Sequence, residues 1–239
     1  GIAMAEQVIE YAENNVVLNA VNMPSMNLEV LSKIQPFISL CEKMGKFMGQ
    51  VCKTGVKKIK VKYHGNVSEN DVKPLTMSAL KGYLTPIMSA PVTFVNAPLI
   101  AEERGIEIVE SKDTTLSDFS SLISLDVVTE ANSFSLSGSI FGKKEPRFTN
   151  FNDHSIDILP EGNILMIEND DKPGVIGLLG NVLGKKDINI NRLYLSNQKD
   201  AKKNYALALI SVDSPVSEDV LEFIANMDEV KSIDQVILD

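Results

Sequence analysis

Four residues suited to binding chemistry flank one apolar pattern at helical spacing. They are Asn169, Asp171 and Gly174 before the pattern and Asn189 after it. A helix N-terminus presents free N–H groups and partial positive charge, which suit a carboxylate. Asparagine and aspartate offer acceptors for an ammonium group, and asparagine also offers a donor. The stretch is therefore compatible with binding a free amino acid, and an N-cap role for Asp171 with turn roles for the asparagines explains the same residues.

A second candidate is a cluster of basic residues in an otherwise acidic chain. Lys143, Lys144 and Arg147 lie close together in sequence, and His154 follows. Arginine suits bidentate contacts with phosphate. A histidine would make anion binding weaken as the pH rises and the imidazole loses its proton. The cluster predicts an anion or phosphate site at Lys144, Arg147 and His154, and a solvated basic turn explains it equally well.

The remaining reactive side chains form no catalytic or metal-binding pattern. The two histidines, His64 and His154, lack the i, i+4 spacing of a zinc-binding helix. On one helix, Cys41 and Cys52 would be separated by about 16 Å of rise, which is too far for a disulfide. We therefore expect no catalytic residues, no metal ligands and two core thiols in a reducing cytoplasm.

Composition narrows the classes of partner. The formal net charge of −9 argues against nucleic acid, because phosphate-backbone binding needs a basic surface. The sequence contains no apolar run of the length, about 18 residues, that crosses a membrane. It also shows no secretory signal pattern. The prediction is a cytoplasmic protein that binds neither nucleic acid nor membrane.

The second half of the chain alternates between strand and helix patterns. Residues 164–167 form a short apolar run, residues 175–183 repeat at helical spacing, and residues 188–191 alternate as a strand does. A strand over 205–212, a helix after Ser217 and a strand over 230–238 complete the pattern. This order predicts a ferredoxin-like βαββαβ unit.

The first half predicts an α+β sandwich in which helices cover one side of an antiparallel sheet. Helices are expected over 29–54, 68–88 and 99–104, and strands over 56–64, 106–109, 116–128, 133–141 and 148–158, the last one broken at 152–153. Pro36 is expected near the first turns of its helix, where proline is best tolerated. Residues 160–162 read as a linker between two domains.

Two motifs carry a resemblance to known families. DDKPGVIGLLGNVLGKKDINI (170–190) resembles the signature of ACT domains, which bind amino acids as regulators. VTFVNAPLIAEERGIEI (92–108) and FGKKEPRFTNFN (141–152) resemble the intervening domain of long-form D-3-phosphoglycerate dehydrogenases. NAVNMP (19–24) is similar to the junction between the nucleotide-binding and substrate domains of that family. The two resemblances together cover nearly the whole chain.

The resemblance implies a domain organisation. Residues 1–28 are expected to be the stub of a missing catalytic part, residues 29–159 an intervening, allosteric substrate-binding domain, and residues 162–239 an ACT domain. The chain would then be the regulatory fragment of an NAD-dependent oxidoreductase of serine biosynthesis. The fragment itself would bind no cofactor, because the NAD site and the catalytic residues would precede it.

The resemblance also implies ligands and partners. L-Serine would bind as a feedback effector at Asn169, Asp171, Gly174 and Asn189, at an interface between ACT domains of a homo-oligomer. 3-Phosphoglycerate or another anion would bind near Arg147 and His154, with Lys144 beside them, whereas a further basic position of the family falls on Ser211. The alternatives are a regulatory module of an L-serine dehydratase and a pure oligomerisation module.

Overall fold

The computed structural model describes residues 28–52, 55–115, 118–142, 144–197 and 205–238. Contacts between Cα atoms divide the chain into two compact units, Gly1–Gln35 and Pro36–Asp239. Most of the predicted stub over 1–28 lies outside the described residues. Both sheets of the fold belong to the second unit. The predicted division between two domains near residue 160 stays a prediction, and it coincides with the passage of the chain from one sheet to the other.

The fold is α+β, as the sequence predicted. The helices are α1 (Leu28–Val51), α2 (Lys73–Leu84), α3 (Ala97–Glu103), α4 (Val175–Gly184) and α5 (Glu218–Ala225). The strands are β1 (Val56–Gly65), β2 (Glu107–Asp113), β3 (Ser121–Thr129), β4 (Ser133–Phe141), β5 (Glu145–Phe151), β6 (His154–Ile158), β7 (Gly162–Asp170), β8 (Ile190–Asn197), β9 (Tyr205–Val212) and β10 (Val230–Leu238). Short 3-10 turns cover Asn66–Glu69 and Thr85–Ile87.

The first sheet has six strands in the order β2-β1-β3-β4-β5-β6. The expectation of an antiparallel sheet is wrong at one edge, because β1 and β2 pair in parallel. Parallel neighbours need a long crossover connection, and α2 and α3 lie between these strands in the chain. The other pairs are antiparallel, and the predicted break at Asn152 is a hairpin turn with a positive φ of 49°.

Helix α1 packs against α2 with backbones in contact. A Cβ atom added to Gly45 would lie 2.0 Å from the carbonyl oxygen of Ala79, and one added to Gly82 would lie 2.0 Å from that of Glu42. Such distances leave no room for any side chain at the crossing. The expectation that Pro36 lies in the first turns of its helix is wrong, because Pro36 lies inside α1, which begins at Leu28.

The second sheet has four strands in the order β10-β7-β9-β8, and every pair is antiparallel. With α4 between β7 and β8 and α5 between β9 and β10, the predicted βαββαβ order is confirmed. One face of the sheet packs against both helices. The buried residues of this core are Leu165, Ile167, Val175, Leu179, Leu183, Ala208, Ile210, Val212, Val216, Val220, Ile224 and Val230.

The cysteine prediction is confirmed within the described residues. Cys41 and Cys52 are both buried and free. Burial raises the pKa of the Cys52 thiol to about 12, and the nearby Asp234 carboxylate acts in the same direction. Both thiols therefore behave as small apolar core groups. Among the described helices, none is both long and apolar enough to cross a membrane.

Candidate functional site

The predicted effector residues surround the turn that joins β7 to α4. Gly174 is the N-cap of α4 and has a φ of 97°, a left-handed conformation that favours glycine. Its carbonyl oxygen accepts a hydrogen bond from the Leu178 N–H at 3.0 Å. The alternative interpretation of Asp171 as the N-cap is therefore wrong. The chain makes a tight turn after Asp171, and α4 begins only at Val175.

Asn169 occupies the buried end of β7. Its side chain is 3% exposed, and its amide nitrogen donates to the Asp170 carbonyl oxygen at 2.7 Å. Among the described residues, its buried Oδ1 atom finds no hydrogen-bond partner. Leaving a buried acceptor unpaired costs about 1–3 kcal/mol. The Asn169 side chain is therefore a buried polar group that the described residues satisfy only in part.

Asp171 links the turn to the end of β8. The Asn197 side-chain amide donates to Asp171 Oδ2 at 3.0 Å. Asn197 is the last residue of β8, so this bond fixes the exposed carboxylate at the edge of the sheet where β8 ends. The turn and the edge strand thus form one surface.

Asn189 lies at the other end of the same sheet. It directly precedes β8, whose first residue, Ile190, pairs with Val212, whereas Asp170 pairs with Tyr205. Tyr205 and Val212 are the two ends of β9, which are about 23 Å apart in an extended strand. A single chain therefore does not bring Asn189 to Asn169 and Asp171.

The Asp170 carboxylate forms two ion pairs at the turn. Its carboxylate accepts a hydrogen bond from Lys172 Nζ at 2.7 Å and lies 3.1 Å from Lys231 Nζ. Hydrogen bonds from Lys172, then from Lys231, lower the pKa of this carboxyl group. Lys231 belongs to β10, so its ion pair with Asp170 connects the turn to that strand.

This ion pair predicts a pH dependence. A carboxyl group whose pKa is lower in the folded state stabilises the fold above its unfolded pKa of 3.8, and that contribution disappears as the pH falls through the folded pKa. We expect Asp170→Asn to lower the free energy of unfolding at pH 7, and the difference from wild type should shrink on acidification below pH 4. Lys172→Met should show the same convergence. Denaturant titrations at several pH values would measure it, and a difference that stays constant down to pH 3 would contradict it.

The second candidate site is a cleft of about 310 Å³ between the two sheets. One wall comes from β5, β6 and the following residues, and the other from β7, β8 and β9. The lining residues are Arg147, Asp157, Ile158, Leu159, Ile164, Arg192, Leu193, Tyr194, Leu209 and Ser211. The cleft therefore combines apolar walls with two guanidinium groups, a phenol and a hydroxyl.

Arg147 is held in the cleft by two carboxylates. Its Nη2 atom donates to Glu145 Oε1 at 2.6 Å, and its Nη1 atom donates to Asp157 Oδ1 at 2.9 Å. The hydrogen bond that Arg147 donates to Glu145, and then the nearby Asp157 carboxylate, hold the pKa of Arg147 above its ordinary value. Its buried Nε finds no acceptor among the described residues. An incoming anion would have to compete with the Glu145 and Asp157 carboxylates for the guanidinium group.

The other two predicted anion ligands are not part of the cleft. His154 pairs with Phe151, four positions along β5 from Arg147, or about 13 Å in an extended strand. Its Nδ1 atom is buried without a partner among the described residues. Lys144 is exposed in the turn between β4 and β5. The prediction that these residues act together with Arg147 is not supported by the geometry.

Sequence reasoning missed Arg192. This arginine lines the cleft and pairs across the sheet with Ser211, the position where the family resemblance places a basic residue. Arg192 Nη1 lies 3.6 Å from Glu161 Oε1, a contact between exposed groups. The signal was present in the strand pattern, because pairing β8 with β9 in antiparallel register brings residue 192 beside residue 211.

A metal site in the described part of the chain would need a cluster of metal-binding side chains. There, no group of three or more histidine, cysteine, aspartate or glutamate side chains could hold a metal ion. Near the turn, Asp170 is paired with Lys172 and Lys231, and Asp171 accepts a hydrogen bond from Asn197. The two candidate sites thus offer hydrogen bonds and charge for binding.

Comparison with known proteins agrees with this architecture. The family model of the D-3-phosphoglycerate dehydrogenase intervening domain matches residues 33–152, about half of the chain. This match spans most of α1 and the first sheet through β5. The chain therefore belongs to the D-3-phosphoglycerate dehydrogenase intervening-domain family.

The similarity to individual relatives extends beyond that domain. The chain is 32% identical over 230 residues to a D-3-phosphoglycerate dehydrogenase of Archaeoglobus fulgidus, which covers 96% of this chain and 44% of the relative. It is 30% identical over 233 residues to that of Methanocaldococcus jannaschii, covering 98% and 44%, and 27% identical over 230 residues to that of Bacillus subtilis, covering 96% and 43%. The chain thus spans less than half the length of these curated relatives.

Proposed function

We propose that this chain is a regulatory part of a D-3-phosphoglycerate dehydrogenase, and that its second sheet is an ACT domain binding L-serine between two copies of the chain. The NAD-dependent oxidation of 3-phosphoglycerate, the first step of serine biosynthesis, would take place in a different part of the enzyme. This chain would then carry the feedback response alone, without cofactor. A reducing cytoplasmic compartment belongs to the same proposal, because Cys41 and Cys52 are unpaired thiols.

The observation that carries the proposal is the distance between Asn189 and the Asp171 turn within one chain. A site that contains both residues needs a second copy of the chain. If two copies pair through β8 about a twofold axis, their β8 strands run antiparallel. The start of one β8, with Asn189, then approaches the end of the other, with Asn197. Asn197 is hydrogen bonded to Asp171, so this arrangement brings Asn189 of one copy to the Asp171 turn of the other.

Exposed apolar side chains support pairing at this edge. Within the described sheet, β8 pairs only with β9 and leaves its other edge open. Leu193 and Leu195 of β8 are 40% and 45% exposed, and Leu178 of α4 is 40% exposed. A second copy covering these residues would remove apolar surface from water at about 25 cal/mol per Å². Self-association is therefore the expected state.

The chemistry of the paired site matches a small polar amino acid. The N-terminus of α4 offers N–H groups to a carboxylate. Asp171 would accept a hydrogen bond from an ammonium group, and so would Asn169 once its buried Oδ1 turns toward the ligand. Asn189 of the second copy offers a donor and an acceptor to a side-chain hydroxyl. L-Serine supplies all three groups.

Calorimetric titration of L-serine tests the proposal. We expect saturable binding to the dimeric chain and, for Asn189→Ala, at least about a tenfold loss of affinity, because hydrogen bonds to the ligand disappear. Asn226→Ala, an exposed asparagine at the end of α5, should bind as wild type does. A chain that stays monomeric at high micromolar concentration with serine would contradict the proposal. A folded dimer that gives no heat at millimolar serine would favour the assembly-module alternative.

We further propose that the cleft between the sheets binds a phosphorylated anion such as 3-phosphoglycerate. Arg147, Arg192, Tyr194 and Ser211 offer donors there within one space. Arginine pairs bidentately with phosphate, and the carboxylates that hold Arg147 would have to be displaced. This competition predicts weak binding that falls steeply with salt.

Arg192→Met tests the anion site separately from the serine site. The substitution keeps most of the side-chain stem and removes the charge, and a lost charged hydrogen bond costs about 1.5–3 kcal/mol. We expect at least about a tenfold loss of affinity for 3-phosphoglycerate, measured by calorimetry at low salt. Lys185→Met removes a charge at the end of α4 and should have no such effect. Equal losses for the two variants would indicate a non-specific charge effect and contradict the site.

A further inference from the structure

Asn189 is joined to the loop before α5 by a reciprocal pair of hydrogen bonds. Its backbone N–H donates to Asp213 Oδ1 at 3.1 Å, and its carbonyl oxygen accepts from the Asp213 N–H at 3.1 Å. Asp213 directly follows β9 and begins the short loop that leads to α5. Any shift of the Asn189 backbone therefore acts on this loop.

The same loop is held at its other end by a second reciprocal pair. The side-chain amide of Gln235, on β10, accepts from the Val216 N–H at 2.6 Å through Oε1 and donates to the Val216 carbonyl oxygen at 3.2 Å through Nε2. Val216 is 4% exposed, and the residue after it, Ser217, is the N-cap of α5. The loop from Asp213 to Val216 is thus fixed at both ends.

A third reciprocal pair joins β10 to α1. The Gln50 side-chain amide donates through Nε2 to the Ile237 carbonyl oxygen at 3.0 Å and accepts through Oε1 from the Ile237 N–H at 3.0 Å. β10 is an edge strand, so these backbone groups face away from β7. The Gln50 amide replaces the peptide group of a missing neighbouring strand. Gln50 Nε2 also donates to the Lys46 carbonyl oxygen at 3.0 Å, which ties the clamp to the helix backbone.

We propose that these three pairs form a relay that couples the effector residue Asn189 to the C-terminal end of α1. The relay runs from Asn189 through Asp213 and Val216 to Gln235, and then along β10 to Ile237 and Gln50. It rests on the proposed function in one respect, since the signal it carries would be the binding of L-serine at Asn189. The hydrogen bonds that form the relay are present in the chain without any ligand.

The chemistry explains why these links transmit displacement. At Gln235 and at Gln50 both hydrogen bonds belong to one side-chain amide, so the amide cannot rotate without breaking both. At Asp213 one bond uses the side chain and the other the backbone N–H, so the two bonds hold the residue at two points.

Gln235 and Ile237 are two positions apart on one strand, whose backbone is fixed by its ladder with β7. If a ligand orders Asn189, the hydrogen bonds at Val216 and at Ile237 would then open less often. α1 packs against α2 and the first sheet, so the relay leads from one sheet region to the other.

Amide hydrogen exchange in the 239-residue chain tests the relay without any ligand. Asp213→Ala removes the acceptor of the Asn189 N–H, and we expect exchange at the Ile237 N–H to become at least about fivefold faster, although Asp213 does not touch Ile237. Glu222→Ala, an exposed change on α5, should leave that rate unchanged. If Asp213→Ala fails to fold, Gln235→Met serves instead with the same expectation. Faster exchange confined to Asn189 and Val216 would overturn the relay.

A double-mutant cycle adds an energetic test. If the relay exists, Gln50→Met and Asp213→Ala should not act additively on the unfolding equilibrium, although they change residues that do not contact one another. Their combined effect on the equilibrium constant should be smaller than the product of the separate effects, because either change already interrupts the same chain of bonds. Simple multiplication of the two effects would overturn the proposal.

Calorimetry and amide exchange in the presence of L-serine test the relay and the proposed function independently. If calorimetry shows binding and the Ile237 N–H exchanges more slowly with serine present, both are supported. Binding without a change at Ile237 overturns the relay and leaves the serine site standing. Absence of binding refutes the serine site, and the relay is then decided by the exchange rates of Asp213→Ala alone.

Discussion

Asp171→Asn is expected to weaken L-serine binding by about 10- to 150-fold. The variant keeps a side chain of the same shape and one acceptor for the Asn197 amide, but it loses the charge that would pair with the ligand ammonium group. A hydrogen bond to a charged group is worth about 1.5–3 kcal/mol, which sets the range. Calorimetric titration of the dimer measures the loss directly.

The matched control for Asp171→Asn is Asp153→Asn. Asp153 is an exposed carboxylate in the turn between β5 and β6 of the first sheet, so the same change of net charge occurs away from the second sheet. It should leave serine affinity unchanged. Comparable losses for both variants would show that net charge, and not the turn, governs binding.

Gly82→Ala is expected to destabilise the chain by about 3 kcal/mol or more, beyond the usual range for overpacking. The added Cβ would lie 2.0 Å from the Glu42 carbonyl oxygen and 3.0 Å from the Lys46 N–H nitrogen. Both are backbone atoms of α1, so no side-chain rotation relieves the clash and the helices must separate. Denaturant unfolding measures the effect as a lower midpoint.

Gly180→Ala is the control for that substitution. It introduces the same methyl group into the interior of α4, where the new Cβ meets no atom of the described chain within 4 Å. Alanine is favoured over glycine inside a helix by about 0.5–1 kcal/mol, so this variant should be slightly more stable than wild type. Equal stability of the two variants would contradict the close packing of α1 and α2.

The sequence specified the second sheet well because its pattern is local. Strand and helix periods follow one another from residue 164 to residue 238 with only polar turns between them. A βαββαβ order leaves few ways to pair four strands. The first sheet was harder. Its parallel edge strand β2 depends on a crossover over α2 and α3, and nothing in the seven residues of β2 distinguishes a parallel from an antiparallel neighbour.

The candidate sites show a related limit. The grouping of Asn169, Asp171 and Gly174 around one turn was predictable, because these residues are close in sequence, but the N-cap is Gly174 and not Asp171. The distance from Asn189 to that turn follows from strand register, which becomes visible only in the folded sheet. Arg192 was missed for the same reason, since its proximity to Arg147 depends on how the two sheets meet.

Mixing two inactive variants tests most directly the claim that the serine site spans two copies. Asn189→Ala and Asp171→Ala each leave both sites of a homodimer defective, so neither homodimer should give detectable heat at the serine concentration that just saturates the wild type. When equal amounts are mixed and exchanged, half of the dimers are mixed and each contains one intact site, so calorimetry should recover about one quarter of the wild-type stoichiometry at wild-type affinity. If the mixture binds no serine while wild type does, the site lies within a single copy and the account is wrong.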